Sequence, residues 1–226
     1  MKLAIFDIDG TLAKTNRIDG VCFSRAFAGE FTIELADTNW SNYENATDSG
    51  IIHQVFGERF NRVPSAEELL LFQNRFVRLL EEAFASSPQD FYEVAGAANI
   101  FANLRARSDW CVAIATGGWR ASALYKLSRI GVELDDHTPA AFADDGFSKE
   151  EIIKATLRRA AGIKFERVVY IGDSIRDLRA AKRLGIEFVG IRHHGNRDGR
   201  FQDEAHLKIL EDFSDLNAFI RAIEED

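Results

Sequence analysis

The 226-residue sequence is poor in cysteine and proline, with two of the first and three of the second. Cys22 and Cys111 each sit inside an apolar run. They supply neither a disulfide framework nor a metal pair and are expected to be small buried hydrophobes. Scarce proline and the lack of any biased tract argue against a disordered chain. No internal repeat is visible. Apolar runs are short, and none reaches the length that a bilayer-spanning helix needs. A strand pattern begins directly after Met1-Lys2 with no signal peptide ahead of it, so a cytoplasmic protein with no membrane partner is expected. Positive charge is in deficit: 28 Lys and Arg against 36 Asp and Glu give 28 − 36 = −8. An acidic chain is a poor partner for nucleic acid or an anionic surface. The densest basic stretch, Arg158-Arg159 through Lys164 and Arg167, falls on a predicted helix and its exit and reads as a solvated face. Asn45-Ala46-Thr47 fits a glycosylation pattern but carries no weight without a secretory signal.

What the chain does have is apolar content. Hydrophobic residues make up 46% of it, enough for one large domain or for a core domain with a smaller insertion. Leu3–Ile8, Trp110–Ala115, Val168–Ile171 and Phe188–Ile191 are brief runs apolar on both faces, the pattern of buried parallel strands. Pro139–Ala143 is a weaker strand candidate, and Leu207–Leu210 reads as a short strand. Helical patterns lie between them. Ala97, Ile100, Phe101 and Leu104 follow i, i+3, i+4, i+7 spacing. Ser148 and Glu151 form a capping-box pair that opens a helix to Ala161, with Gly162 at its end. Trp119–Ile130, Ile175–Leu184 and about 213–223 complete the set. Strands alternating with helices predict an α/β fold: a Rossmann-like open parallel sheet with helices on both faces.

Residues 14–90 break that rhythm and read as helices without strands. Phe23, Ala26, Phe27 and Phe31 form one stripe, and Ile51, Ile52, Val55 and Phe56 another. Ser65 and Glu68 open a long helix that ends before Pro88. The expected organisation is an α/β core of residues 1–13 and 91–226 with an inserted all-helical cap at 14–90. Open α/β sheets bind ligands at the carboxyl ends of their strands, so an insertion leaving directly after strand one would stand over the site.

Four short segments carry chemistry. In Phe6-Asp7-Ile8-Asp9-Gly10-Thr11-Leu12, two carboxylates two residues apart end an apolar strand. That is costly unless a cation or a reaction needs them, although Asp-Gly is also a common turn. In Gly172-Asp173-Ser174-Ile175-Arg176-Asp177 a second strand ends in an acid, with another four residues on; Asp173 as a plain helix N-cap is the alternative. Acids delivered to one sheet edge by two strands call for a hard cation such as Mg²⁺. In Thr116-Gly117-Gly118 a strand ends in a hydroxyl and then in backbone N–H groups suited to an anion, or in an ordinary turn. Lys149 lies at a helix N-terminus, where a cation opposes the dipole; a plain surface lysine beside Lys154 and Lys164 is the alternative.

Taken in order, Asp7-Ile8-Asp9-Gly10-Thr11, then Thr116, then Lys149, then Gly172-Asp173 with Asp177, resemble the four motifs of the haloacid dehalogenase superfamily. The insertion after the first motif is similar to the helical-cap subgroup that contains phosphoglycolate phosphatases and β-phosphoglucomutases. The sequence departs from that pattern at Lys14, where many relatives carry an acid, and at Glu150, where many carry proline. The resemblance implies a Mg²⁺-dependent phosphatase acting on a small phosphorylated metabolite. Asp7 would be the nucleophile and Asp9 the acid and base. Mg²⁺ would be held by Asp7, Asp173 and the Asp9 carbonyl. Thr116, Gly117 and Lys149 would hold the phosphate. Asp177 would bind the metal, directly or through water, or orient Lys149. Dehalogenase chemistry is disfavoured because Asp9 is present. A phosphomutase and a catalytically silent interaction protein are the alternatives. Substrate selection is expected from Asp48 and His53 in the cap and from Trp119 and Arg120 beside the glycines. Trp40 and Tyr43 could reach the site or pack within the cap. His193-His194 reads as a polar loop rather than a transition-metal site.

Overall fold

Leu3 and Ile5 point to one side of the first strand and Ala4 and Phe6 to the other, and all four are fully buried. A strand with no wet face belongs in the middle of a covered sheet, and that is where it lies. The computed structural model of the chain describes residues 1–35, 39–162, 164–192, 201 and 208–225. His193 and His194 fall outside the described residues. The six strands are β1 (Lys2–Phe6), β2 (Trp110–Ala115), β3 (Ala140–Ala141), β4 (Arg167–Gly172), β5 (Glu187–Ile191) and β6 (Lys208–Leu210). They form one sheet in the order β3-β2-β1-β4-β5-β6, every pairing parallel. The weak candidate at Pro139–Ala143 is therefore a real strand but shorter than its sequence pattern, and the C-terminal strand is described over Lys208–Leu210.

Helices cover both faces. On one side α4 (Ala97–Arg105), α5 (Arg120–Arg129) and α8 (Leu216–Glu224) pack against Phe6, Val112, Ile114 and Ile171. On the other side α6 (Lys149–Arg159) and α7 (Ile175–Leu184) bring Ile152, Ile153, Leu178 and Ala181 against Leu3, Ile5 and Tyr170. The capping box Ser148/Glu151 starts α6 as its sequence predicts. At α7 the N-cap is Ser174, paired with Asp177 in a second capping box. Asp173 is thus not the helix cap.

The chain leaves the sheet after β1 and returns along the same path. Lys14 N–H donates to Tyr92 O at 2.9 Å and Val94 N–H to Leu12 O at 2.8 Å. Between these crossings lie α1 (Asn16–Phe31), α2 (Asp48–Phe60) and α3 (Ala66–Ser86). They share a core of their own built on Phe23, Phe27, Phe56, Phe72 and Phe76. Phe23 stacks edge-on against Phe72 and Phe76, with ring centroids 5.1 and 5.3 Å away. Such tilted pairs contribute beyond the area they bury. Trp119 and Ala143, from the sheet side, complete this aromatic core, so the helical unit is seated on the α/β unit by apolar contact as well as by hydrogen bonds. Among the described residues, no helix is long and apolar enough to cross a membrane.

Candidate active site

Parallel order with β1 central makes the carboxyl ends of β1, β2 and β4 neighbours. The chain runs outward from β1 to β2 and β3, then crosses back to β4, so a crevice opens where the direction reverses. Asp7 extends the ladder one residue past β1, its N–H donating to Ile171 O at 2.9 Å. The following turn is tight: Gly10 has φ +82°, and a Cβ there would lie 2.1 Å from Asp173 Oδ2. Only glycine accepts both the left-handed backbone and that approach. Gly172 serves the same crowding from β4, since a Cβ would meet the Asp177 side chain at 2.7 Å.

The four sequence segments converge. Asp7, Asp9, Thr116, Gly117, Gly118, Lys149 and Asp173 all line a cavity of about 610 Å³ between the sheet and the helical unit. The helical unit supplies Asp19, Phe23, Trp40, Asn45 and Asp48 among its walls. Lys149 Nζ stands 3.0 Å from Asp7 Oδ1 and 3.1 Å from Asp177 Oδ1. Burial raises the Asp7 carboxyl to about 6, Lys149 pulling against it and Asp177 adding to it. Burial alone would lower the Lys149 ammonium, but Asp177 and Asp7 outweigh it and raise it. The Lys149 contact is an ion pair without hydrogen-bond alignment, so Asp7 Oδ1 is buried with no hydrogen-bond partner.

Carboxylate oxygens of Asp7, Asp173 and Asp177 lie within 4.8 Å of one another. All-oxygen donors on buried acids suit a hard divalent cation, and Asp7 Oδ1, ion-paired to Lys149 but without a hydrogen-bond partner, is an atom such an ion would satisfy. Asp177 is already engaged on both oxygens. Its Oδ2 accepts from Ser174 Oγ at 2.6 Å and its Oδ1 from Tyr170 Oη at 3.2 Å. With Lys149 also on Oδ1, this geometry favours the orienting role over a direct bond to metal.

The expected substrate-selecting residues divide. Asp48 lines the cavity and accepts from Trp119 N–H at 2.9 Å. Burial pushes its carboxyl well above the usual range, neighbouring Asp19 adding to the effect. Trp119 is buried in the helical unit's aromatic core, its Nε1 donating to Ser49 Oγ at 2.8 Å. Arg120 lies exposed over the Phe142 ring at 4.4 Å. His53 packs edge-on against Phe147 with centroids 4.7 Å apart. Trp119, Arg120 and His53 do not border the cavity. Trp40 does, while also stacking on Phe23.

Two residues escaped the sequence reading. Lys126 of α5 is fully buried and donates to Asp9 Oδ2 at 2.6 Å and Asp19 Oδ1 at 2.5 Å. Burial alone would lower its ammonium, but the carboxylates of Asp19, Asp9 and Asp48 raise it. Thr15, at the N-cap of α1, spends its hydroxyl on Asp9 Oδ1 at 2.6 Å rather than on its own helix. The signal for Lys126 was present, for it shares the inward helix face of Ser122, Ala123 and Leu127.

Residues 4–191 match the family model for haloacid dehalogenase-like hydrolases. No curated protein matches the chain. Among solved structures, a hydrolase from Pseudomonas syringae is 21% identical with a TM-score of 0.69, covering 99% of both chains. CbbY from Rhodobacter sphaeroides, solved in complex with phosphate, is 22% identical with a TM-score of 0.66 over 95% of both. A family IA hydrolase from Entamoeba histolytica is 18% identical with a TM-score of 0.70 over 99% of both.

Proposed function

The chain belongs to the haloacid dehalogenase-like hydrolase family, and from that premise we propose that it is a Mg²⁺-dependent phosphatase of a small phosphate monoester. The observation that carries the proposal is the convergence of Asp7, Asp9, Thr116, Lys149 and Asp173 on one cavity, with a buried Asp7 oxygen that is ion-paired to Lys149 but has no hydrogen-bond partner. In this reading an Asp7 oxygen attacks phosphorus, forming the O–P bond of an aspartyl-phosphate as the bond to the leaving oxygen breaks. Asp9 gives that oxygen its proton. It then takes a proton from the water that attacks the phospho-enzyme, which returns the Asp7 carboxylate and releases phosphate. Thr116, the Gly117 backbone and Lys149 hold the other phosphate oxygens as charge builds on them. The Asp7 and Asp173 side chains and the Asp9 carbonyl would hold Mg²⁺, which when bound offsets the repulsion between carboxylate and phosphate. Asp177 serves chiefly to orient Lys149.

The helical unit of residues 14–90 acts as the cap that encloses the leaving group and excludes water. CbbY has also been solved with xylulose-1,5-bisphosphate, and by analogy the substrate here is a small phosphorylated metabolite. Acid-quenched enzyme incubated with Mg²⁺ and a phosphate ester should carry phosphate on Asp7 by mass spectrometry. Phosphate found on another residue, or full turnover by Asp7→Asn, would refute the proposal. Release of inorganic phosphate rather than an isomerised ester separates hydrolysis from a mutase reaction.

A further inference from the structure

Lys126 stands behind the cavity wall. Asp9 and Asp19 line the cavity, whereas Lys126 does not. Its two acceptors belong to different parts of the molecule. Asp9 lies on the loop after β1, and Asp19 is in α1 of the helical unit. With Thr15 on the other oxygen, both Asp9 oxygens are held, so the orientation of that carboxylate is set by two donors at once. A buried lysine is an expensive way to fill a helix face, since an apolar side chain of similar volume avoids the desolvation. Stability alone therefore does not account for it.

The helical unit grips α5 at a second point. Trp119, one residue before the helix, donates its N–H to Asp48 and its indole N–H to Ser49. Trp119 and Lys126 lie about two turns apart on the same face. A movement of the helical unit away from the sheet would separate Asp19 from Lys126 and Asp48 from Trp119 together.

We infer that Lys126 is a positioning residue: it holds the Asp9 carboxylate in line with the leaving oxygen while Asp19 of the cap is seated on the same ammonium, so cap closure and alignment of the acid are one event. The inference rests on the reading of Asp9 as the leaving-group acid. Lys126 itself neither gives nor takes a proton in the cycle.

The test is rapid-quench measurement of phospho-Asp7 formation, with Mg²⁺, from two esters. p-Nitrophenyl phosphate loses a phenolate that leaves without a proton, while ethyl phosphate loses an alkoxide that needs one. Lys126→Met should slow the ethyl ester at least ~10-fold more than the aryl ester, because only the first needs a well-placed acid. A lysine that merely supports the fold would slow both equally, and that result overturns the inference. Lys126→Met/Asp19→Asn removes one positive and one negative charge, so the cluster keeps its net charge even if the single variant fails to fold. It must show the same selective loss. Asp19→Asn alone should give a smaller loss of the same selectivity, and unchanged rates with both esters would refute the link to the cap. Wild-type enzyme that forms no phospho-Asp7 from either ester would bring down the phosphatase reading and this inference with it. Normal phospho-Asp7 formation with an unchanged ester ratio in the lysine variants would bring down the inference alone.

Discussion

Replacing Asp7 with asparagine should abolish turnover and at the same time make the metal-free protein harder to melt. The Asp7 carboxyl is raised from 3.8 to about 6 by burial, against the pull of Lys149. Between those two values the native state holds a proton that the unfolded chain has given up. Stability from this group therefore falls as pH rises from about 4 to about 6 and stays low above that. At neutral pH the ionised carboxylate costs about 3 kcal/mol, from roughly two pKa units at ~1.4 kcal/mol each. The amide keeps the shape without the charge. The shift to about 6 already includes the pull of Lys149, so loss of that ion pair is counted in this figure, and Asp177 remains 3.1 Å from the ammonium. A net gain of about 1–3 kcal/mol is expected, or several degrees in Tm for a chain of this size. By pH 4.5 native Asp7 is already protonated and the advantage should shrink to about 1 kcal/mol or less. Thermal melts in excess chelator at pH 7.5 and pH 4.5 measure both arms. A variant less stable than wild type at pH 7.5, or a gain independent of pH, would refute the reasoning.

Chelation should abolish turnover and Mg²⁺ should restore it, with Mg²⁺ also raising Tm by mass action because the oxygen cluster exists only in the folded state; full activity in excess chelator would sink the metal role. Asp9→Asn should slow phosphorylation by alkyl esters more than by aryl esters, while both substrates lose the base of the second step; equal single-turnover losses would contradict the acid assignment. Asp48→Ala should lower both kcat/KM and Tm, since Asp48 faces the cavity and also caps the Trp119 N–H, whereas His53→Ala should stay within about twofold of wild-type kcat/KM because its ring packs on Phe147 away from the cavity. A large kinetic defect in the His53 variant would place His53 at the substrate and refute its purely packing role.

The sheet and its helices were legible because their signals are local. A run such as Leu3–Phe6 declares by its own composition that both faces are buried, and Ser148 with Glu151 declares a helix start. Ser174 with Asp177 has the same three-residue spacing and was readable in the same way. Asp177 belongs in addition to the oxygen cluster with Asp7 and Asp173.

The convergence of the candidate site residues was also legible, for a physical reason: parallel strands deliver the residues that follow them to one edge, so acids and hydroxyls at strand ends meet wherever the strands are neighbours. What local sequence did not decide was direction and distance across the cap interface. Asp48 and His53 lie five residues apart on α2, yet one faces the cavity and the other packs on Phe147. Lys126 is marked by its place on the inward face of α5, but its partner Asp19, 107 residues away in the chain, is named only by the packing. Sequence settled which groups reach the carboxyl edge of the sheet; only the packing of the helical unit on that edge decided which of its own side chains face them, because that contact joins residues whose chain separation carries no periodic signal.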